Sequence, residues 1–309
     1  MDKERNDNFN TLIEFLRERS SNKRVNLPTS YQYKLEGKNL VLKLGDKGLT
    51  GNMQDNESAF ESWSIILKYY LNDTISYVAI DWDLPTNLDE KEEANYNRFL
   101  YRVKKFVDTY DWVKPSKNDI NLPQHLVCNF PNGKAAEKEE YKSGSEGELE
   151  CQYVESHQHE YYCLDHQFPV GIFDNSISKN SHFTTGSRSG IDIWGINGDT
   201  FSLFELKKPD NKPLGILSEI MFYTNIIDDL LSKRITYAES DKLDKVIKNN
   251  YRQFGCFYKK AIVNHEIKRI NAILLASNFH PLINDEVIEF MNDSDYLKKS
   301  NIKYSRERL

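Results

Sequence analysis

The segment 191–208, IDIWGINGDTFSLFELKK, constrains the fold of this 309-residue chain more strongly than any other stretch. It is rich in β-branched and aromatic residues on both sides of Asn197-Gly198, a dipeptide typical of tight hairpin turns. Two strand registers are compatible with it. A two-residue loop at Asn197-Gly198 places Asp192 opposite Leu203, whereas a loop two residues longer places Asp192 opposite Glu205.

Both registers put the same charged side chains together. Because side chains alternate between the two faces of a strand, Asp192, Glu205 and Lys207 lie on one face in either register, and the apolar residues between them lie on the other. Two facing carboxylates repel each other, and burying them without a counter-charge is costly. Mg²⁺ removes that cost and prefers oxygen ligands of this kind. The pattern therefore predicts a Mg²⁺ site, with Mn²⁺ as an alternative ion.

The chemistry of such a site is the hydrolysis of a phosphate ester. A bound Mg²⁺ lowers the pKa of a coordinated water and stabilises charge on the phosphate. Lys207 either helps to activate the water or neutralises the transition state, and its position beside two acids favours the electrostatic role. The structural alternative is a Glu205–Lys207 ion pair with Asp192 capping a turn, but this alternative leaves the excess of acid unexplained.

An acid on one strand, followed on the next strand by an acid, any residue and a lysine, resembles the core of the PD-(D/E)xK nuclease superfamily. The matching positions are Asp192 and Glu205-Leu206-Lys207, and Ile191 stands where the literal motif has proline. The resemblance covers roughly residues 146–280. It implies an α/β (α+β) restriction-endonuclease-like fold, which is a mixed β-sheet flanked by helices. It also implies that the backbone carbonyl of Leu206 is a metal ligand.

The same resemblance implies further site residues on the helices around the hairpin. The superfamily places an acid on the preceding helix, where Glu146, Glu148 and Glu150 are available, and we select Glu148; its alternative role is a first-turn glutamate stabilised by the helix dipole. Exonuclease-like members carry a polar residue and a tyrosine four positions later on the following helix. Glu219 and Tyr223 have that spacing, although Tyr223 in a core and Glu219 at its rim is an equally good reading.

Two weaker features lie near the hairpin. Arg188 precedes it and could contact a phosphate, although a solvent-exposed loop arginine fits equally well. A cluster of potential zinc ligands lies upstream: Cys151, His157, His159, Cys163 and His166. Their spacing contains no paired CxxC motif, so buried thiols and surface histidines are favoured over a zinc site.

Hydrophobic periodicity divides the chain into three parts. Residues 1–115 read as an N-terminal α/β domain, whose helical aromatic residues are expected in its core: Trp63, Phe99, Tyr101 and Phe106. Residues 116–145 are polar and contain Pro, Gly, Ser and Glu, which is typical of a linker. Residues 146–309 form the nuclease-like domain. The N-terminal domain carries no recognisable motif, so both target recognition and binding of a protein partner remain open for it.

Composition restricts the cellular setting and the partner. No apolar run approaches the length of a membrane span, and the N-terminus MDKERNDNFN lacks an apolar signal core. Four scattered cysteines are typical of reduced thiols, so a cytoplasmic location is predicted. The net charge is -6, so nucleic acid would have to bind a local basic patch, for which the Lys- and Arg-rich C-terminal segment is a candidate.

The expected function is therefore a Mg²⁺-dependent endonuclease that cleaves DNA, in restriction, phage defence or repair. An RNA-cleaving nuclease with the same site is one alternative. A second alternative is a catalytically silent module that binds nucleic acid or protein; the acidic net charge favours it, but the retained acids and lysine count against it. A homodimer stays open, since endonucleases that cut both strands often dimerise.

Overall fold

The chain forms a mixed α/β structure with two compact units. The computed structural model describes residues 2–114, 118–133, 140–185 and 189–309, with side chains from residue 8. Unit 1 comprises Met1–Leu122, Pro213–Glu219 and Phe279–Tyr296. Unit 2 comprises Pro123–Lys212, Ile220–Asn278 and Leu297–Leu309. Both units are thus discontinuous in sequence, which differs from the three consecutive parts that the periodicity predicted.

Unit 1 is built on a four-stranded sheet with the order β1-β2-β3-β4. Its strands are β1 (Gln32–Glu36), β2 (Asn39–Leu44), β3 (Tyr77–Trp82) and β4 (Val113–Lys114). Its helices are α1 (Asp2–Arg19), α2 (Asp46–Thr50), α3 (Phe60–Tyr70), α4 (Glu90–Thr109) and α9 (Asp285–Asn292). Strands β1 and β2 are antiparallel, whereas β2, β3 and β4 run parallel to one another.

Local sequence explains why α3 and α4 form and where they pack. Asp89 and Glu92 make a reciprocal capping box at the start of α4. The helical aromatic residues are buried, as predicted: Trp63, Phe99, Tyr101 and Phe106. Arg102 donates to both carboxylate oxygens of Glu61 across the two helices, so this buried charge is paired inside unit 1.

Unit 2 contains two sheets. The larger has the order β12-β11-β9-β8-β6, formed by β6 (Cys163–Pro169), β8 (Gly190–Asn197), β9 (Thr200–Lys207), β11 (Arg269–Ala276) and β12 (Ile302–Glu307). The smaller has the order β10-β5-β7, formed by β5 (Leu126–Cys128), β7 (Ile172–Asp174) and β10 (Ile235–Tyr237). Helix α5 (Glu146–His157), α7 (Asp241–Lys248) and α8 (Phe254–Phe257) belong to this unit.

Two helices cross the boundary between the units. Helix α6 (Ile216–Leu231) contributes its first residues to unit 1 and the rest to unit 2, and α10 (Asp295–Lys299) also spans a boundary. Along the chain, the larger sheet of unit 2 and the helices beside it follow in the order α5, three antiparallel strands (β6, β8 and β9), α6 and the parallel strand β11. This confirms a mixed sheet with helices.

Part of the segment predicted as a linker is ordered and buried. Strand β5 lies within 116–145, pairs in parallel with β10 and in antiparallel with β7, and its three residues are buried. Three consecutive apolar residues are too short to show a period. Their strand character depends on partners that are distant in sequence.

Two cysteines of unit 2 form a disulfide, which differs from the expectation of reduced thiols throughout. Cys163 at the start of β6 is bonded to Cys256 in α8, with their Cα atoms 6.8 Å apart and a sequence separation of 93. Cys128 and Cys151 are buried thiols. So large a sequence separation leaves no local spacing pattern from which the pairing could be read.

Candidate functional site

Strands β8 and β9 form the hairpin with the register of the longer-loop prediction. Asn197 lies opposite Thr200, which leaves 198–199 as the turn. The same register carried to the open end of the hairpin places Asp192 opposite Glu205. The pairing continues one step closer to the turn than the prediction assumed, without changing which residues face each other.

One face of the hairpin is packed into the core of unit 2. Ile193, Phe204 and Leu206 belong to a buried cluster with Val154 of α5 and Leu275 of β11. This confirms the apolar face that the alternation predicted. Since Asp192, Glu205 and Lys207 have the opposite parity on their strands, they lie on the other face of the sheet.

The charged side chains at the open end of the hairpin contact one another closely. Lys207 Nζ donates to Glu205 Oε1, and both side chains are buried. Asp192 is half-buried, and its Oδ2 accepts a hydrogen bond from the Leu206 backbone N–H at 2.8 Å. The Asp192 carboxylate therefore lies against the backbone of the residue whose carbonyl the resemblance implies as a ligand.

Helix α5 uses Glu148 for its own N-terminus. Ser145 caps the helix by accepting from the Glu148 backbone N–H at 3.3 Å, and the Glu148 carboxylate accepts from the Gly144 N–H at 2.6 Å. These bonds satisfy N–H groups around the first helical turn. The geometry gives Glu148 the structural role that we weighed as its alternative.

Two other glutamates of α5 face the sheet. Glu146 Oε1 accepts from the Lys208 backbone N–H at 3.3 Å, at the end of β9. Glu150 is buried, accepts from Gln167 Nε2 at 2.7 Å and lies 3.5 Å from His166 Nδ1. Their spacing of four residues places both on one side of the helix. Both therefore face the α5 side of the sheet, away from the face that carries Asp192, Glu205 and Lys207.

The remaining predicted site residues lie as follows. Glu219 is buried in unit 1 and accepts a hydrogen bond from Gln54 Nε2. Tyr223 is buried in the unit 2 part of α6, with its ring centroid 5.6 Å from that of Phe222. Arg188 lies outside the described residues.

The upstream cysteines and histidines are dispersed rather than gathered. Cys163 is in the disulfide, His157 stacks on Tyr153 at 4.0 Å, and Cys151 Sγ lies 3.8 Å from His166 Nε2. Across the part of the chain that the structure describes, no group of three or more His, Cys, Asp and Glu side chains is arranged to hold a metal ion.

The donor atoms of the hairpin nevertheless suit a hard cation. They are two carboxylates and one backbone carbonyl, from Asp192, Glu205 and Leu206. Mg²⁺ is commonly held by one or two carboxylates, with waters and a substrate phosphate completing its shell. A set of two acids is therefore enough for this ion, whereas an all-protein cage would need more.

Gln167 is a neighbour of the site that no sequence pattern indicated. It lies in β6, binds Glu150, and has a left-handed backbone with φ 55°. Left-handed backbone is expected at Gly or Asn, so a glutamine in an apolar strand carries no signal for it.

Comparison with known proteins does not assign the chain to a family. No family model, no curated protein and no solved structure matches the chain. Among the described residues, the structure contains no helix that combines the length and the apolar character needed to span a membrane.

Proposed function

We propose that unit 2 is a Mg²⁺-dependent nuclease that hydrolyses phosphodiester bonds in DNA. The observation that carries this proposal is the open end of the β8–β9 hairpin. There, Asp192 accepts a hydrogen bond from the backbone of Leu206. The two chain neighbours of Leu206, Glu205 and Lys207, are paired with each other. An acid, an acid and a lysine are thus adjacent on one sheet face, and the proposed metal-assisted hydrolysis would use all three.

The surrounding fold supports the same proposal. A mixed sheet with α5 before its hairpin and α6 after it fits the resemblance to PD-(D/E)xK nucleases. We therefore propose a restriction-endonuclease-like fold for the larger sheet of unit 2 and its helices. Function is still argued from the site, because one fold can host unrelated activities.

Asp192, Glu205 and the Leu206 carbonyl would hold the metal ion, with Mn²⁺ able to replace Mg²⁺. When bound, the ion lowers the pKa of a coordinated water and stabilises charge on the phosphate. The Lys207 ammonium lies against Glu205 and supplies a fixed positive charge on the same sheet face. Such a preorganised charge stabilises a negative transition state without reorganisation.

Helix α5 packs on the face of the sheet opposite Asp192, Glu205 and Lys207, and among the described residues no α5 glutamate is grouped with them. Glu150 is buried and is held by Gln167, and Glu146 contacts the end of β9. The helix acid that the resemblance implies is therefore left out of the proposed metal site. Glu148 is occupied at the N-terminus of its own helix and serves as a control in the experiment below.

DNA is the preferred substrate, and RNA is the alternative that the same chemistry allows. The acidic net charge means that either polymer would bind through a local patch, with Arg188 and the basic C-terminal segment as candidates. Restriction, phage defence or repair in the cytoplasm would suit this activity. The same hypothesis includes the formation of a homodimer and the binding of a protein partner by residues 1–115.

The test is cleavage of supercoiled plasmid, single-stranded DNA and RNA with Mg²⁺, Mn²⁺ or chelator. We expect Asp192→Asn to lower the cleavage rate by about 10²-fold or more, since it weakens an ion site that stabilises the transition state. The double variant Glu205→Gln/Lys207→Met should do the same without leaving one buried charge unpaired. Glu148→Gln should cleave like the wild type.

Metal binding distinguishes the remaining outcomes. Mg²⁺ or Mn²⁺ bound by the wild type and lost in Asp192→Asn would place the ion at this hairpin. Cleavage that survives Asp192→Asn would contradict the assignment of the site. A wild type that neither cleaves nor binds metal would contradict the nuclease and favour the silent binding module.

A further inference from the structure

Strand β6 carries a kink beside the candidate site. The ladder between β6 and β8 is interrupted at Gln167, which the register of its neighbours places opposite Asp192. Gln167 has φ 55°, in the left-handed region. For a residue with a Cβ atom, such a conformation costs roughly 1–3 kcal/mol, and it persists only where surrounding contacts impose it.

The kink changes the face to which β6 directs its side chains. His166, before the kink, lies near Glu150 on the α5 side of the sheet. Phe168, two residues later, contacts Trp194 with ring centroids 5.2 Å apart. Trp194 belongs to the face opposite α5, because its neighbour Ile193 is in the α5 cluster. In a regular strand His166 and Phe168 would share a face.

Two contacts hold Gln167 in this conformation. Its side-chain amide donates to Glu150 Oε2 at 2.7 Å, which ties it to α5. Its backbone carbonyl accepts from Arg252 Nη1 at 3.0 Å. The side chain of Gln167 is therefore held by the Glu150 carboxylate, and its backbone carbonyl is held by the Arg252 guanidinium.

Arg252 is itself presented by a strained turn, residues 250–253. Asn250, Arg252 and Gln253 have φ of 49°, 51° and 54°. The turn is fixed internally, since Asn250 Oδ1 accepts from the Cys256 N–H at 3.0 Å. Cys256 is in turn bonded to Cys163 of β6. The turn is thus attached to β6 at two points, the disulfide and the arginine.

Local strain of this kind collects where a precise geometry is needed. The strain in β6 and the strain in residues 250–253 meet at one hydrogen bond, directly beside Asp192. With the ladder opened at Gln167, the Asp192 carboxylate lies across the hairpin against the Leu206 N–H. The kink also directs Phe168 into the aromatic cluster with Trp194, Phe201 and Phe257.

We propose that Gln167 is a positioning residue of the site, which Arg252 holds in its left-handed conformation. Its kinked backbone opens the ladder beside Asp192, whose carboxylate binds the Leu206 N–H, and its amide holds Glu150 on the α5 face of the sheet. This inference rests on the proposed function, in which Asp192 would hold the metal ion. It assigns roles to two residues that the nuclease motif does not contain.

Substitutions of Gln167 distinguish the effect of its backbone conformation from the effect of its side-chain amide. Gln167→Gly accepts a positive φ without strain and loses the amide, so Asp192 should stay in place while Glu150 is released. Gln167→Val resists a positive φ because it is β-branched, so Asp192 should be displaced. Arg252→Met removes the donor to the Gln167 carbonyl and should act like Gln167→Val, and Arg252→Lys should restore part of the effect.

The control is Lys233→Val. Lys233 is exposed, lies in unit 2 and also has a left-handed backbone, with φ 63°. The substitution imposes the same backbone strain away from Gln167. A loss of stability that both valine variants share is therefore a general cost of strain, whereas a change confined to Gln167→Val reports on the site.

The first measurement is hydrogen exchange of the Leu206 amide, which donates to Asp192. We expect exchange about tenfold faster in Gln167→Val and Arg252→Met, the factor that one ordinary hydrogen bond supplies. Gln167→Gly and Lys233→Val should match the wild type. Equal Leu206 exchange in Gln167→Val, Arg252→Met and Lys233→Val would overturn the positioning role, whether or not the protein cleaves DNA.

Cleavage and Mg²⁺ affinity provide the second measurement. Displacement of an acid by about 1 Å lowers a rate by about 10²-fold, so we expect such a loss of kcat in Gln167→Val, with little change in KM, and a kcat close to the wild-type value in Gln167→Gly. Mg²⁺ affinity should fall in Gln167→Val. If the wild type does not cleave DNA but the variants show the expected Leu206 exchange, the result would count against the nuclease and still support the positioning role.

Discussion

The candidate site contains an ion pair that is costly to bury. Glu205 and Lys207 are 1% and 3% exposed, and each must give up its hydration in the folded state. The attraction within a buried pair rarely exceeds that desolvation cost by much, so a stable apolar pair of similar size could replace it. Stability alone therefore does not account for these two residues, which agrees with the chemical role that we propose for them.

At the same scale we predict a strongly non-additive pair of substitutions. Lys207→Met alone should lower the free energy of unfolding by roughly 3–5 kcal/mol, since it leaves a buried carboxylate without its cation. The double variant Glu205→Gln/Lys207→Met should recover most of that loss, because no buried charge remains. Chemical denaturation of the wild type, both single variants and the double variant measures the coupling, and additive losses would contradict it.

At the scale of elements, the N-terminal cap of helix α5 decides which of its glutamates face the sheet. Ser145 and Glu148 satisfy N–H groups around the first turn, and this fixes which glutamates remain for the sheet. Glu146 and Glu150 are one turn apart and contact the ends of β9 and β6. The cap therefore decides the direction of the acids as well as the start of the helix.

The cap is testable separately from the site. Ser145→Ala should cost about 1 kcal/mol of stability, the usual value for a lost N-cap side chain. Glu148→Gln should cost less, because an amide oxygen can still accept from Gly144. Both variants should keep the cleavage rate of the wild type. Loss of cleavage in a fully stable Glu148→Gln would return Glu148 to the catalytic role that the resemblance first suggested.

At the scale of the whole molecule, segments distant in sequence make each unit. Unit 1 takes three separate stretches of chain and unit 2 takes another three. Within unit 2, the disulfide joins the first residue of β6 to α8. Closing a long segment of chain restricts the unfolded state, so this bond is expected to contribute to the stability of unit 2.

We predict that two of the four cysteines resist alkylation. Denatured protein kept free of reductant should take up two alkyl groups, at Cys128 and Cys151, and four after reduction. Cys163→Ala/Cys256→Ala should lower the free energy of unfolding by roughly 2–5 kcal/mol, the usual range for a lost native disulfide. Labelling of all four cysteines without reductant would show that Cys163 and Cys256 are thiols, as the sequence analysis expected.

The sequence by itself determined the hairpin, its apolar face and the shared face of Asp192, Glu205 and Lys207. These follow from alternation along a strand and from turn chemistry, which act between residues close in the chain. The combination of helices with a mixed sheet in unit 2 followed for the same reason.

Only the tertiary structure decided which glutamate of α5 faces the sheet, because a helix start offers a carboxylate both a cap and a tertiary partner, and their spacing fits either. It also decided the kink at Gln167, the contact of Arg252, the strand at Leu126–Cys128 and the pairing of Cys163 with Cys256. Each of these depends on groups tens of residues apart, whose meeting leaves no local pattern. The contacts formed in the folded chain, rather than local preference, stabilise those conformations.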